Sequence, residues 1–282
     1  MWRISPVYRH SMELVAKEDA LGALLSGMGS VLVAYSGGVD SSYLADSAHR
    51  ALGERAVAVT AVSPSLARRE LDAATRLARE RGWSHELVGT HEIGREDYAR
   101  NDSDRCYWCK TELFEVLAPM AERRGATIVV GTNVDDLGDH RPGLRAADER
   151  SVRAPLVEVG LGKSEIRRLS SAAGLPTADK PASPCLSSRI AYGVRVTPQR
   201  LRRIDAAEDF LISLGLVELR VRDHGDLARI EVPTDRLQEA LDHREEIAQR
   251  LTTLGWRYVT LDLQGLRSGS MNEVLQIGFD AG

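Results

Sequence analysis

A chain of 282 residues, 43% hydrophobic and 28% charged, has material for one large core or two modest ones, and its composition excludes a disordered or fibrous protein. With 37 basic against 41 acidic residues the net charge is −4, which provides no bulk attraction for nucleic acid. Residues 1–20 contain no signal-type apolar run, and stretches such as 31–35 are far too short to cross a bilayer, so the expectation is a cytoplasmic protein without a membrane partner.

In chain order, residues 31–35 read as a short buried strand of β-branched and aromatic character. A glycine-containing turn at 36–40 leads into a helix over 41–52, then a strand at 56–62 and a helix over 66–81. Strands at 85–89 and 127–130 flank a helix over 110–124. Strands alternating with helices imply an α/β domain with a parallel sheet covered on both faces. Right-handed crossovers gather the loops after the strands at one edge, where ligands bind. A helix follows at 165–173, with Ser164 as its expected cap.

The pattern changes after Lys180-Pro-Ala-Ser-Pro-Cys185. Thr197-Pro198 opens a helix over 197–214, threonine as N-cap and proline at the first helical position. Strands at 217–222 and 228–232 pair around His224-Gly225-Asp226, followed by a helix over 235–251 and a strand at 258–263. The expected organisation is a parallel-sheet domain, 1–190, and a smaller α+β domain, 191–282.

The richest local signal is Tyr35-Ser36-Gly37-Gly38-Val39-Asp40-Ser41-Ser42. Adjacent glycines let a backbone approach an anion closely, and the helix that follows aims its free N–H groups and positive dipole end at that anion. Ser36, Ser41 and Ser42 add hydroxyl donors. Asp40 would repel phosphate; its natural role is to hold Mg²⁺, which neutralises pyrophosphate. The stretch Gly160-Leu-Gly-Lys163-Ser164 is not a Walker loop, since Val157 stands where the first glycine belongs.

The string Ser-Gly-Gly-Val-Asp-Ser-Ser resembles the loop of the PP-loop ATP pyrophosphatases, in which it binds the pyrophosphate part of ATP and the products are AMP and pyrophosphate. Gly131-Thr132-Asn133-Val134-Asp135-Asp136, at the end of a strand, resembles a second element beside the nucleotide in that superfamily. Further strings are Arg105-Cys-Tyr-Trp-Cys-Lys110, Arg153-Ala-Pro-Leu156, Asp179-Lys-Pro-Ala-Ser-Pro-Cys-Leu-Ser-Ser-Arg-Ile190, Arg220-Val-Arg222, Ala228-Arg-Ile-Glu-Val232 and Gly265-Leu-Arg-Ser-Gly-Ser-Met-Asn-Glu273. Together, over about residues 13–277, they resemble the LarE family of sulfur transferases, which serves a nickel-pincer cofactor.

That resemblance implies ATP-dependent adenylation of a carboxylate of pyridinium-3,5-biscarboxylic acid mononucleotide, conversion to a thiocarboxylate, and a homo-oligomer supplied by a sulfide source. It implies nucleotide contacts from Ser36, Gly37, Gly38, Asp40, Ser41, Ser42, Ser63, Thr132, Asn133 and Asp136, and catalytic parts for Asp40, Lys110 and Cys185. Arg220 and Arg222 share a strand face by period two, so their guanidiniums could share the substrate phosphate. Ser188, Arg189, Glu208 and Glu231 match family positions around the substrate or an associated metal.

The chain has three cysteines, and Cys106-Tyr-Trp-Cys109 points to metal or redox chemistry in a reducing compartment. By the resemblance, Cys106, Cys109 and Cys185 hold a [4Fe–4S] cluster whose open iron carries the sulfide to be transferred. In the other branch of the family Cys185 gives up its own sulfur. A zinc site completed by a histidine such as His140, and simple buried thiols, are the remaining readings. Outside this family, the alternatives are a tRNA thiolase or other adenylating ligase, and a degenerate nucleotide-binding subunit; balanced charge and the intact loop argue against each in turn.

Overall fold

The structure, a computed structural model, describes residues 6–138, 142–267 and 270–271. The chain divides into two compact units. The first takes the chain up to Ser63, then Arg69–His91 and Cys106–Ser183. The second takes Pro64–Arg68, Glu92–Arg105 and the chain from Pro184 onward. Where the sequence suggests one cut at 190/191, the second unit thus begins at Pro184 and also claims two earlier segments.

The first unit is built on four parallel strands: β1 (Val31–Ala34), β2 (Ala56–Val62), β3 (Ser84–Gly89) and β4 (Thr127–Val130), in the order β3-β2-β1-β4. Its helices, with the first residues of two of them falling in the second unit, are α1 (Pro6–Gly27), α2 (Val39–Leu52), α3 (Arg68–Glu80), α5 (Arg105–Arg124), α6 (Pro142–Asp148), α7 (Pro155–Glu158) and α8 (Lys163–Ala172); α4 (Glu96–Ala99) lies in the second unit. Alternation along β1 explains the layers. Val31, Val33 and Tyr35 join one apolar cluster with Leu21 and Leu25 of α1, Tyr43 and Leu44 of α2, and Ile166 of α8. Leu32 points the other way, into a cluster with Leu113, Phe114 and Leu117 of α5 and Ala146 of α6. The central strand is therefore buried on both sides, and the strand order reverses between β1 and β4, which puts the loops after these two strands side by side.

The second unit carries a three-stranded mixed sheet: β5 (Arg220–Asp223) antiparallel to β6 (Leu227–Glu231), and β7 (Tyr258–Leu261) parallel to β6. Beside it run α9 (Pro198–Ser213), α10 (Leu237–Asp242) and α11 (Arg244–Thr253). Thr197 caps α9 as expected, its hydroxyl accepting the Arg200 N–H at 3.2 Å. The helix expected over 235–251 is broken at His243, whose φ of −94° and ψ of 11° depart from helical values. The helix expected from Lys110 begins five residues earlier, so the cysteine pair lies on a helix and not in a loop. Ser164 is not the cap of α8: Gly162 is, with the Glu165 carboxylate accepting its N–H at 3.0 Å. No helix among the described residues is long and apolar enough to cross a membrane.

Candidate functional site

In the first unit the loop between β1 and α2 has the features an anion needs. Gly37 takes a left-handed φ of 73°, and a Cβ there would lie 2.9 Å from the Ala74 Cβ of α3. Gly38 begins α2 without a side-chain cap, leaving the first-turn N–H groups to whatever lies in front of them. The Ser41 hydroxyl ties the turn together, 3.1 Å from the Ser36 hydroxyl and 3.2 Å from the Gly38 carbonyl it donates to. Ser42 is fully buried, and burial pushes the Tyr35 phenol up to about 12, against a smaller opposing pull from the Ser42 hydroxyl. Burial thus keeps the Tyr35 phenol protonated at neutral pH.

The loop after β4 meets this turn directly. A Cβ on Gly131 would fall 2.8 Å from the Ser41 nitrogen and 3.0 Å from the Asp40 carbonyl carbon, so only glycine fits. Thr132 and Asn133 follow. Asn133 is 1% exposed; its Oδ1 accepts the Asp135 N–H at 2.9 Å and its own N–H donates to Asp136 Oδ2 at 3.1 Å. Its Nδ2 is buried with no hydrogen-bond partner among the described residues. The same is true of Asp40 Oδ1, while Asp40 Oδ2 accepts the Lys163 ammonium. Buried polar atoms without partners are costly and rare, and these two flank the glycine cradle. Ser63 follows β2, the neighbour of β1, at the same sheet edge.

Sequence reasoning passed over three side chains here. Lys163 was seen only as part of a failed Walker match, yet it pairs with Asp40 while its backbone N–H donates to Asp135. Asp135 was quoted only within a string. Lys180 was quoted only as a neighbour of Cys185, yet its ammonium donates to the Gly37 carbonyl at 2.9 Å and to Glu70 at 2.6 Å. Lys163 meets Asp135 across 28 positions and Asp40 across 123, beyond the reach of any local pattern. Lys110 stands on α5 with its Cγ 3.1 Å from where a Gly143 Cβ would be. Cys106 is exposed and Cys109 half-buried on the same helix, three residues apart and so on one face.

In the second unit the expected substrate residues form one connected network. Arg189, 1% exposed, clasps the fully buried Glu208 with Nε and Nη2 at 3.0 and 3.3 Å. Its Nη1 donates to the Pro184 and Cys185 carbonyls and to the Ser188 hydroxyl. The Ser188 carbonyl accepts Arg222 Nη1 at 3.2 Å. Arg222 gives Nε and Nη2 to Glu231 at 2.9 and 2.7 Å and Nη2 again to the Ser270 hydroxyl. Arg229 and Ser270 satisfy the other Glu231 oxygen. A guanidinium has five N–H donors, and four of those on Arg222 are used here. This differs from the expected pair of guanidiniums both open to one phosphate. Arg220 is half-buried and donates to the Leu219 carbonyl at 2.8 Å.

Cys185 is exposed on the loop that Arg189 holds. The loop is pinned again by a buried triangle of hydroxyls, Ser65 to Tyr98 at 2.8 Å and Tyr98 to Ser187 at 2.6 Å. Asn101, at a left-handed φ of 66°, donates to the carbonyls of Ile190, Ala191 and Val194 and accepts from Arg105. The segment entering the cysteine-pair helix and the segment leaving Cys185 are therefore stitched together inside one unit. Among the described residues neither unit by itself gathers three or more metal-ligating side chains, and His140 lies outside them.

No family model matches the chain. It is 45% identical over 265 residues to an uncharacterised protein of Synechocystis, covering 93% of this chain and 99% of that protein. It is 30% identical over 241 residues to an uncharacterised protein of Methanocaldococcus jannaschii, covering 84% and 91%. It is 37% identical to the pyridinium-3,5-bisthiocarboxylic acid mononucleotide synthase of Lactiplantibacillus plantarum over 264 residues, 93% of this chain and 96% of that enzyme. With near full-length matches on both sides and the glycine cradle in place, the chain belongs to the LarE family, that of the pyridinium-3,5-bisthiocarboxylic acid mononucleotide synthase.

Proposed function

We propose that the chain is an ATP-dependent sulfur transferase that adenylates a carboxylate of pyridinium-3,5-biscarboxylic acid mononucleotide, releases pyrophosphate and delivers a thiocarboxylate. The observation that carries the reading is the cradle of Gly37, Gly38 and Gly131 with the unpartnered Asp40 Oδ1 and Asn133 Nδ2 at its rim. The synthase named above supports the substrate class.

A carboxylate resists sulfur nucleophiles because its oxide does not leave. Attack of that oxygen on the α-phosphorus of ATP forms the acyl adenylate and expels pyrophosphate; sulfur then attacks the acyl carbon, and AMP departs with the carboxylate oxygen. The N–H groups of the α2 first turn and the serine hydroxyls hold the charge that develops on the phosphates. Asp40 suits Mg²⁺ through its buried, unpartnered Oδ1, with the Lys163 ammonium on Oδ2. Arg220, with Arg222's remaining N–H, suits the substrate phosphate.

For the sulfur, the chemistry of the donor set supports a [4Fe–4S] cluster: three thiols, two of them on one helix face. Cys106, Cys109 and Cys185 would hold it, and when bound it would supply a transferable sulfide at an iron without a protein ligand. The exposure of Cys185 favours a second reading, in which its own thiolate displaces AMP from the adenylate to give a thioester, and loss of the Cα proton with cleavage of the Cβ–S bond then releases the thiocarboxylate and leaves dehydroalanine. The proposal also takes the protein as a cytoplasmic homo-oligomer fed by a sulfide source. Turnover with Mg·ATP and the biscarboxylate should yield pyrophosphate, followed by mass spectrometry of the Cys185 peptide. Orthophosphate and ADP would sink the adenylation. An unchanged Cys185 after many turnovers supports the cluster, and dehydroalanine after one supports the sacrificial thiol.

A further inference from the structure

Lys180 lies outside the residues assigned to binding or catalysis above, yet it holds the nucleotide loop from behind. Its ammonium, on a side chain 21% exposed, donates to the Gly37 carbonyl at 2.9 Å and pairs with Glu70 of α3 at 2.6 Å. Gly37 takes a left-handed φ beside α3, where a Cβ would meet Ala74. The chain around Lys180 is itself gripped: Arg167 of α8 donates to the Ala178 and Lys180 carbonyls, and the Lys180 N–H donates to Thr177. Residues 178–180 therefore form a strap held by α8, with the Lys180 ammonium seated on the anion loop.

Five residues later comes Cys185. The link between them, Pro181-Ala-Ser-Pro184, has no regular structure and two prolines, which fix φ at two of its four positions. Lys180 and Cys185 are thus joined by a short, conformationally restricted link. An anion in the loop changes the field at Gly37 and draws on the ammonium that donates to its carbonyl and to Glu70.

We propose that Lys180 is a positioning residue that couples occupancy of the nucleotide loop to the presentation of the Cys185 thiol, so that sulfur chemistry is timed to the arrival of ATP. This rests on the nucleotide reading of the loop, and the test separates the two. Binding of Mg·ATP is measured by calorimetry, and the alkylation rate of Cys185 by iodoacetamide is followed by peptide mass spectrometry with and without Mg·ATP. The wild type should bind, and the Cys185 rate should change by roughly fivefold or more, the lower end of ordinary coupling between sites. Lys180→Met should still bind Mg·ATP but lose that response; Lys180→Arg, which keeps the charge, should retain it. If Lys180→Met does not fold, Glu70→Gln, which loosens the ammonium's seat, should weaken the response. Failure to bind Mg·ATP overturns the nucleotide reading itself. Binding with an unresponsive Cys185, or an undiminished response in Lys180→Met or Glu70→Gln, overturns the coupling alone.

Discussion

The two charged regions of the molecule solve opposite problems. Around Gly37 and Gly131 the chain leaves polar atoms waiting: Asp40 Oδ1 and Asn133 Nδ2 are buried and unpaired. Around Arg189 and Arg222 the reverse holds, for Glu208 and Glu231 are fully buried and each is clasped by an arginine through two nitrogens. An unpaired rim is a place for a ligand; a saturated network is first of all a framework. The difference teaches that charged residues in matching strings do not all face substrate. In the second unit most of the charge holds the Cys185 loop and the sheet in place, and Arg220, half-buried, donates to the Leu219 carbonyl.

The largest effect should come from breaking the framework. Glu208→Ala strands a buried guanidinium and should cost about 3–5 kcal/mol in urea unfolding, whereas the double change Arg189→Met with Glu208→Leu should recover much of it. A loss below about 1 kcal/mol for Glu208→Ala would mean that the pair is not the buried framework described. Next, Asp40→Ala should leave the unfolding midpoint nearly unchanged and lower pyrophosphate release by about 10²–10³-fold, as loss of one electrostatic stabiliser does. A large stability loss with intact turnover would reverse the contrast between the regions.

The two arginines of β5 sharpen it further. Arg220→Ala should weaken the pyridinium mononucleotide by about 1.5–3 kcal/mol without destabilising the fold, the worth of a hydrogen bond to a charged group. Arg222→Ala should instead act on stability, since it leaves Glu231 with Arg229 and Ser270 alone. Equal effects of the two on affinity, with none on stability, would restore the shared-phosphate arrangement.

The smallest effect is a pH dependence. His224, at the β5–β6 turn, is lowered from 6.5 chiefly by burial, then by Arg229, with Asp223 and Glu231 opposing and Arg222 adding a little. The folded protein thus binds fewer protons at this site than the unfolded chain, so stability falls as pH drops below about 6.5 and recovers as it rises. His224→Asn should flatten part of that slope between about pH 6.5 and 5. His85, also lowered by burial, keeps a share of it in the variant. An identical slope in variant and wild type would mean that His224 is not held neutral.

How much of this could be read in advance follows from how far each feature reaches along the chain. The strand–glycine–helix turn at 31–42 is local, and its loop and core strand were legible. So was the Thr197-Pro198 start of α9. The helix α1 was missed although Leu14, Leu21 and Leu25 repeat on one face at helical spacing. The start of α5 was missed because Arg105-Cys-Tyr-Trp-Cys has no apolar periodicity to extend. The break at His243 carries neither proline nor glycine to announce it. At the site, Lys163 meets Asp40 across 123 positions and Lys180 meets Gly37 across 143, so no pattern within either segment could join them. Charges on a short strand look alike whether they bind solvent, substrate or one another; only their burial tells Arg222 from Arg220.

The central claim is that the carboxylate oxygen attacks the α-phosphorus of ATP, and an isotope follows that oxygen. The biscarboxylate mononucleotide is prepared with ¹⁸O in its ring carboxylates and turned over with Mg·ATP, and the nucleotide product is analysed by mass spectrometry and ³¹P NMR. Transfer through an acyl adenylate predicts AMP carrying one ¹⁸O on its phosphate, together with unlabelled pyrophosphate. Label in orthophosphate, or AMP whose new oxygen comes from water, would contradict it.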